Sequence, residues 1–242
     1  MVGREDVTPH LVRVTLGGRE LTGLDPGLPA ASVRLLVPRD GALVLPTWTG
    51  NEFLFADGSR PPLRTLTPRR WDAERSELTV EIVLHGDGPL STWAATVGRG
   101  ATAALSGTGR GYEIDPSLTG LLLAGDESAL PAISVLLEAL PPSANVTVLA
   151  EVTHPDARFE LPAHPGATVT WLDLPSGAAP GDALVAAIGA ATIAPDARVW
   201  VAGEAAAVQR IRTLLFDERG LPRGRCTVRG YWKHGRAGTS DE

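Results

Sequence analysis

With 43% hydrophobic and 21% charged residues, a chain of 242 residues has enough apolar material for one large domain or two medium ones. No run approaches the about 18 apolar residues of a membrane-spanning helix, so we expect no membrane insertion. The net charge of −6 disfavours nucleic-acid binding, which needs clustered cations to neutralise phosphates.

The first half of the sequence reads as short strands separated by turns rich in Gly, Pro and Asp. Alternating apolar and polar residues predict strands at 10–16, 32–37 and 78–84, the last with Thr79 and Glu81 facing outward. Residues 46–62 show no periodicity and are interpreted as a mobile loop. Regular short strands of this kind predict an antiparallel β-barrel over residues 1–116.

The second half changes to a pattern of buried strands and amphipathic helices. Leu121 to Ala124 is a continuous apolar run that ends in Gly125 and Asp126, which is typical of a buried parallel strand. Further elements are predicted as helices at 128–140 and 205–219 and strands at 145–152, 168–172, 198–202 and 226–232. This alternation predicts an α/β domain with a mostly parallel sheet over residues 117–242. A β-barrel followed by an α/β domain resembles the two-domain ferredoxin-reductase-like architecture.

Three segments carry candidate binding chemistry. Arg64 to Arg69 places an arginine beside hydroxyl groups on a strand, which suits a diphosphate and a flavin edge, although a solvated strand has the same composition. In the second segment a strand ends before His85, and Pro89 begins a helix whose free amides suit a pyrophosphate. The third, from Gly125 to Ser128, follows a parallel strand, where α/β sheets bind ligands, but lacks the G-x-G-x-x-G fingerprint.

Taken together, these segments resemble the siderophore-interacting protein family of FAD-containing ferric-siderophore reductases. The resemblance covers nearly the whole chain and keeps one order and spacing. It is carried by the segments TPHLVRVTLGG at 8–18, RTLTPR at 64–69, VLHGDGP at 83–89, GDESALPAI at 125–133, WVAGE at 200–204 and GYWKHG at 230–235.

The resemblance implies hydride or electron transfer from NAD(P)H or another reductant to FAD, and then reduction of Fe(III) in a siderophore. The family's R-x-Y-[ST] flavin motif falls on Arg64 to Thr67. The implied flavin contacts are Arg64, Thr65, Leu66, Thr67, Val83, His85, Gly88, Pro89, Leu90, Ser91 and Thr92. The implied nicotinamide contacts are Gly125, Asp126, Glu127, Ser128, Gly203 and Glu204. The chemistry belongs to the flavin, so we assign no catalytic side chain and no metal site.

One position departs from the family pattern, because Leu66 replaces the tyrosine that packs on the flavin ring. The loss removes about 0.5–1.5 kcal/mol of aromatic preference, which weakens FAD binding without abolishing it. Two alternatives to the reductase therefore stay open. One is an NAD(P)H–flavin oxidoreductase with another acceptor, and the other is a non-enzymatic siderophore-binding member with a weakened FAD site.

The carboxyl-terminal segment gives the acidic chain a local positive charge. Six basic residues and no acid lie between Arg219 and Arg236. Ferric siderophores are often anionic, and a subgroup of the family attracts them with basic residues near the flavin. We therefore predict a substrate site of Arg229, Trp232, Lys233 and Arg236, although a solvated basic end or a cofactor-phosphate contact would look the same.

Residues at and after the end of the second predicted parallel strand give opposite indications for NADH and NADPH. Glu151 at the strand end can bind ribose hydroxyls and repel a 2′-phosphate, which favours NADH, whereas His154 and Arg158 could do the opposite.

The remaining expectations concern location and redox state. The amino-terminal residues contain no apolar stretch of the secretory kind, so we expect a cytoplasmic protein. Cys226, the single cysteine, excludes an internal disulfide and a cysteine-ligated iron–sulfur cluster and is interpreted as a small buried residue of a strand. The sequence does not set the oligomeric state, and a monomer is the simplest expectation.

Overall fold

A computed structural model of the chain describes residues 1–38, 41–86 and 88–235. The described residues form two compact units, Met1–Gly111 and Tyr112–Gly235. Within these ranges no helix is long and apolar enough to cross a membrane. The predicted fold class, antiparallel sheets followed by a parallel sheet with flanking helices, is confirmed.

The first unit consists of antiparallel strands and one helix. Its strands are β1 (Gly3–Thr8), β2 (Leu11–Gly17), β3 (Val33–Leu36), β4 (Thr47–Trp48), β5 (Phe53–Leu54), β6 (Arg64–Leu66), β7 (Pro68–Asp72), β8 (Glu77–Val83) and β9 (Ala104–Leu105), and its helix is α1 (Pro89–Thr96). Four strands pair in the order β1-β2-β8-β7 and three in the order β6-β3-β9. Val12, Val80 and Leu35 from the two sheets belong to one buried core cluster, so the sheets enclose a common interior.

Two predictions for this unit are corrected by the structure. Glu81 lies on the outer face of β8 but is only 2% exposed, because the Arg13 guanidinium covers it with an Nη2–Oε1 distance of 2.7 Å. The loop predicted over 46–62 contains the hairpin β4–β5, in which the Trp48 and Phe53 rings lie 4.9 Å apart. Strands of two residues are too short for alternation to show in the sequence.

The second unit is a parallel sheet in the order β12-β11-β10-β13-β14. Its strands are β10 (Gly120–Gly125), β11 (Asn145–Val152), β12 (Ala167–Asp173), β13 (Arg198–Glu204) and β14 (Cys226–Trp232), and its helices are α2 (Leu130–Ala139), α3 (Asp182–Ala190) and α4 (Ala205–Thr213). The chain runs from β10 outward to β12 and then returns to β13 on the other side of β10. The direction of winding therefore reverses between β10 and β13.

The helices of this unit differ from the sequence prediction in three respects, two at helix boundaries and one in a helix that was not predicted. A 3₁₀ turn, Glu127–Ala129, precedes α2, and α4 ends in a π-helical turn, Leu214–Glu218. The sequence did not predict α3, whose alanine-rich face shows little periodicity. The helix forms because Leu184 and Ile188, four residues apart, are buried in the core beneath the sheet.

Candidate functional site

The predicted flavin strand is β6, and its pairing with β3 decides which side chains share a face. Arg64 lies opposite Leu35 and Leu66 opposite Val33, both core residues, whereas Thr65 is exposed on the other face. Burial lowers the pKa of the Arg64 guanidinium, whose Nη1 donates to the Leu63 carbonyl at 3.0 Å. The face formed by Arg64 and Leu66 thus presents a partly desolvated cation beside an aliphatic side chain.

Leu66 is half-buried and packs against the core cluster of the first unit. The neighbouring Thr67 is buried at the end of the strand, with 7% of its surface exposed. Position 66 of β6, where the family motif has a tyrosine, thus presents an aliphatic side chain.

The segment after β8 forms a turn that leads into α1. Val83 ends the strand half-buried, and His85 is exposed. The Ser91 hydroxyl donates to the His85 carbonyl at 3.0 Å, while the His85 N–H donates to Ser91 Oγ at 3.3 Å. This pair closes the turn, so the Ser91 hydroxyl is hydrogen-bonded to the backbone in this structure. Thr92 remains exposed on the first turn of α1.

The start of α1 suits an anion. Gly88 is its N-cap, Pro89 is its first residue and Leu90 follows half-buried, so no side chain at the N-cap occupies the free amides of the first turn. Both β6 and α1 contact β8, which places them in the same part of the first unit. A guanidinium and helix amides that no described side chain caps suit a diphosphate, and these residues therefore fit FAD.

The carboxyl edge of the parallel sheet is organised around the buried carboxylate of Asp126, which is 7% exposed. Asp126 Oδ1 accepts the backbone N–H of Ser128 at 2.9 Å and also its hydroxyl. Asp126 Oδ2 accepts the Glu204 N–H and the Trp232 indole N–H, each at 2.8 Å. Burial raises the pKa of this carboxyl, and the four hydrogen bonds act in the opposite direction.

Glu204 caps α4, with Oε2 accepting the N–H groups of Ala206 at 2.6 Å and Ala207 at 2.9 Å. Its other oxygen, Oε1, accepts the His234 N–H at 3.1 Å. Glu127 Oε1 accepts the Thr153 N–H at 2.6 Å. The structure thus brings together the predicted residues at 125–128 and 203–204, and their carboxylates bind the protein's own backbone.

Glu151 caps a helix and does not have the ribose-binding role predicted from the sequence. Its Oε1 accepts the Gly181 N–H at 2.6 Å and its Oε2 the Leu184 N–H at 2.9 Å, so both oxygens cap the start of α3. Only 3% of its surface is exposed, and this burial raises the pKa of the carboxyl. A carboxylate in this position has no free oxygen for ribose hydroxyls. The preference for NADH that rested on Glu151 therefore loses its basis.

The predicted substrate residues lie at the end of β14. Arg229 and Trp232 are half-buried, and Lys233 is exposed beyond the strand. Arg236 lies outside the described residues. His234, whose role was not predicted from the sequence, donates its backbone N–H to Glu204 and so connects this end of β14 to the start of α4. The only sequence feature that pointed to His234 was its place in the GYWKHG segment at 230–235, through which the chain resembles the family.

The architecture, antiparallel sheets followed by a parallel sheet with flanking helices, is of the ferredoxin-reductase-like class. Residues 1–111 match the siderophore-interacting FAD-binding domain and residues 118–235 the siderophore-interacting protein family. The chain therefore belongs to the siderophore-interacting protein family.

Individual relatives agree with this assignment. A siderophore utilization protein from T. fusca is 38% identical with a TM-score of 0.83, over 97% of this chain and 91% of that one. The ferric vibriobactin reductase ViuB of Vibrio cholerae is 30% identical over 97% of this chain and 88% of its own length. A ferredoxin NADP+ reductase from Neisseria gonorrhoeae with bound FAD and NADP has a TM-score of 0.65 over 96% of both chains, and at 16% identity it shows the fold alone.

Proposed function

We propose that this protein is an FAD-dependent ferric-siderophore reductase that takes electrons from NAD(P)H or another reductant. The observation that carries the proposal is that one unit, which matches a FAD-binding domain, holds both the half-buried Arg64 and a helix start, that of α1, whose N-cap Gly88 has no side chain. The similarity to the vibriobactin reductase supports the substrate class. The cytoplasmic location remains a prediction from the sequence.

In this proposal Arg64 and the amides at the start of α1, around Leu90, hold the diphosphate of FAD. Leu66 and Thr67 border the ring system, and His85 lines the turn beside it. Bound FAD supplies the conversion of a two-electron donor into single-electron delivery to Fe(III). The protein's own contribution is position and electrostatic field, and no side chain acts as general acid or base.

We propose that the siderophore binds at the basic segment from Arg229 to Arg236. Arg229, Lys233 and Arg236 give local positive charge to a protein with a net charge of −6, and they would attract an anionic ferric chelate. Trp232 lies between them, with its indole N–H fixed by Asp126. The fixed indole gives this segment a defined orientation.

Cofactor retention is the first test. The purified protein is incubated with FAD, passed through gel filtration and examined by absorbance. Flavin bands that elute with the protein support the proposal, and a colourless protein fraction would refute it. An Arg64→Ala variant should lose most of the bound flavin, because it removes the cation assigned to the diphosphate. An Arg70→Ala variant, which removes an exposed arginine from β7 of the same unit, should keep it.

The substrate assignment is tested by comparing acceptors. Steady-state reduction of a ferric siderophore is compared with reduction of simple ferric chelates and of a quinone. Faster turnover of the siderophore supports the assignment, and equal rates favour the oxidoreductase with another acceptor. A Lys233→Gln variant should slow siderophore reduction by up to about tenfold. The matched control is Arg223→Gln, which removes a charge from the turn before β14, at the opposite end of that strand.

A second candidate is a siderophore-binding protein without flavin chemistry, and the aliphatic side chain of Leu66 is the observation that favours it. Such a protein would bind a ferric siderophore but would not retain FAD. Titration of the FAD-free protein with the ferric siderophore separates the two candidates when it is combined with the gel-filtration test.

A further inference from the structure

The crevice where α/β domains of this type bind dinucleotides is closed in this chain. Ligands bind at the carboxyl ends of the strands where the winding direction reverses, here between β10 and β13. Asp126 fills that place, because its Oδ2 accepts the Glu204 N–H at 2.8 Å across the two strand ends. A Cβ atom on Gly203 would lie 2.7 Å from the same oxygen. The carboxylate therefore packs directly on the backbone that a diphosphate would approach.

Carboxylates of the chain cap α3 and α4 at this edge and the 3₁₀ turn before α2, whereas α2 itself has no side-chain cap. Asp126 accepts the Ser128 N–H in the turn before α2. Glu151 accepts two N–H groups at the start of α3, and Glu204 accepts two at the start of α4. An anion normally binds a helix N-terminus through these amides and the positive end of the helix dipole. At α3 and α4, carboxylates of the chain already occupy both.

The contrast with the first unit is direct. The N-cap of α1, Gly88, has no side chain that could occupy the amides of the first turn. Among the described residues, the amides at the start of the helix assigned to FAD are thus left uncapped, whereas those at the start of α3 and α4 are filled. A pyridine nucleotide and FAD both carry a diphosphate. The difference in helix capping between the two units therefore favours binding of FAD over binding of a pyridine nucleotide.

Basic side chains near this edge do not replace the capped amides. The Arg158 guanidinium, which follows β11, is paired with the Asp173 carboxylate at the end of β12. Arg229 lies on β14, the outermost strand on that side of the sheet, and Lys233 follows the end of that strand. A diphosphate at the crevice would face Asp126 and Glu204 instead.

We infer that the α/β unit does not bind the diphosphate of a pyridine nucleotide in this crevice, so NADH and NADPH form no saturable complex there. Together with the proposed function, this means that the flavin receives its electrons from a donor that needs no dinucleotide site on this unit. NADH and NADPH then reduce the flavin only through second-order collisions.

The test is the concentration dependence of flavin reduction. FAD-loaded protein is mixed anaerobically with increasing NADH or NADPH, and the loss of flavin absorbance is followed. The observed rate should rise linearly past about 1 mM, the upper end of ordinary Michaelis constants. Equilibrium titration followed by nucleotide fluorescence should likewise show no saturation. A hyperbolic dependence with a dissociation constant in the micromolar range would overturn the inference.

A pair of variants tests whether the local carboxylates are responsible. Glu204→Gln keeps an oxygen for the amides of α4 and removes the charge, so the second-order rate with NADPH should rise about twofold to thirtyfold. Asp196→Asn makes the same charge change at the opposite edge of the sheet, where Asp196 accepts the Thr119 hydroxyl at 2.8 Å, and should have no effect. Equal effects of the two variants would refute local closure. If Glu204→Gln does not fold, Glu151→Gln provides the same comparison at the acid that caps α3.

A separate measurement distinguishes this inference from the proposed function. Protein reduced with dithionite is mixed with a ferric siderophore in the absence of any nucleotide. Reoxidation of the flavin supports the reductase activity whatever the nucleotide result. If the flavin is not reoxidised, the proposed function fails, although the nucleotide titration still decides whether the crevice is closed.

Discussion

Replacing Leu66 with tyrosine should strengthen FAD binding. Leu66 shares a face of β6 with Arg64, lies opposite Val33 and is only half-buried, so a ring at this position can extend from the edge of the core. A stacked aromatic pair contributes about 0.5–1.5 kcal/mol beyond its buried area. Since about 1.4 kcal/mol corresponds to a tenfold change, the dissociation constant for FAD should fall about twofold to tenfold.

The assay is a titration of FAD-free protein followed by the quenching of flavin fluorescence. Leu66→Met is the matched control, because it keeps volume and apolarity at the same position without adding a ring. Thermal unfolding of both variants is measured alongside, since a tyrosine forced into the core costs about 1–3 kcal/mol. If both variants fold and bind FAD equally well, position 66 does not face the flavin, and the placement of the motif is refuted.

Two further predictions concern the α/β unit. Asp126→Ala leaves the buried Glu204 N–H and the Trp232 indole N–H without an acceptor, and each unmet buried donor costs about 1–3 kcal/mol. In urea denaturation this variant should have a lower free energy of unfolding than Asp126→Asn, whose amide oxygen still accepts; equal values would contradict the assigned network. The hydrogen bonds from Ser117 lower the pKa of Asp115 to about 2, so the stabilisation from this carboxylate is complete above about pH 4 and is lost as the pH falls towards 2. An NMR titration should show the pKa of Asp115 rising towards its ordinary value in Ser117→Ala, and an unchanged value would refute this cause.

The parts of the fold that were predictable from sequence have local causes. The run Leu121 to Ala124 followed by Gly125 and Asp126 predicted a buried strand with a polar carboxyl end, and the structure has β10 there. Pro89 at the start of a helix likewise predicted α1. In both cases a few consecutive residues determine the conformation.

The roles of the acids could not be predicted, because each depends on a partner far away in the chain. Glu151 meets Gly181 and Leu184 at sequence separations of 30 and 33 residues. Asp126 meets Trp232 at a separation of 106. A carboxylate at a strand end suits a ribose or a helix N-terminus equally well, and only the packing of α3 and α4 against the sheet decides between them. The sequence therefore predicted that these acids lie at the carboxyl edge of the sheet, but it did not predict that they bind helix amides and the Trp232 indole.

The central claim is that electrons pass through bound FAD to iron in a siderophore. Its most direct test is a single-turnover experiment in which the FAD-loaded protein is reduced anaerobically with one equivalent of dithionite and mixed with a ferric siderophore and a ferrous chelator. The account predicts that the flavin absorbance returns as the ferrous chelate appears, with two irons reduced per flavin. A flavin that stays reduced, or a ferrous chelate that forms equally fast with free reduced FAD, would contradict it.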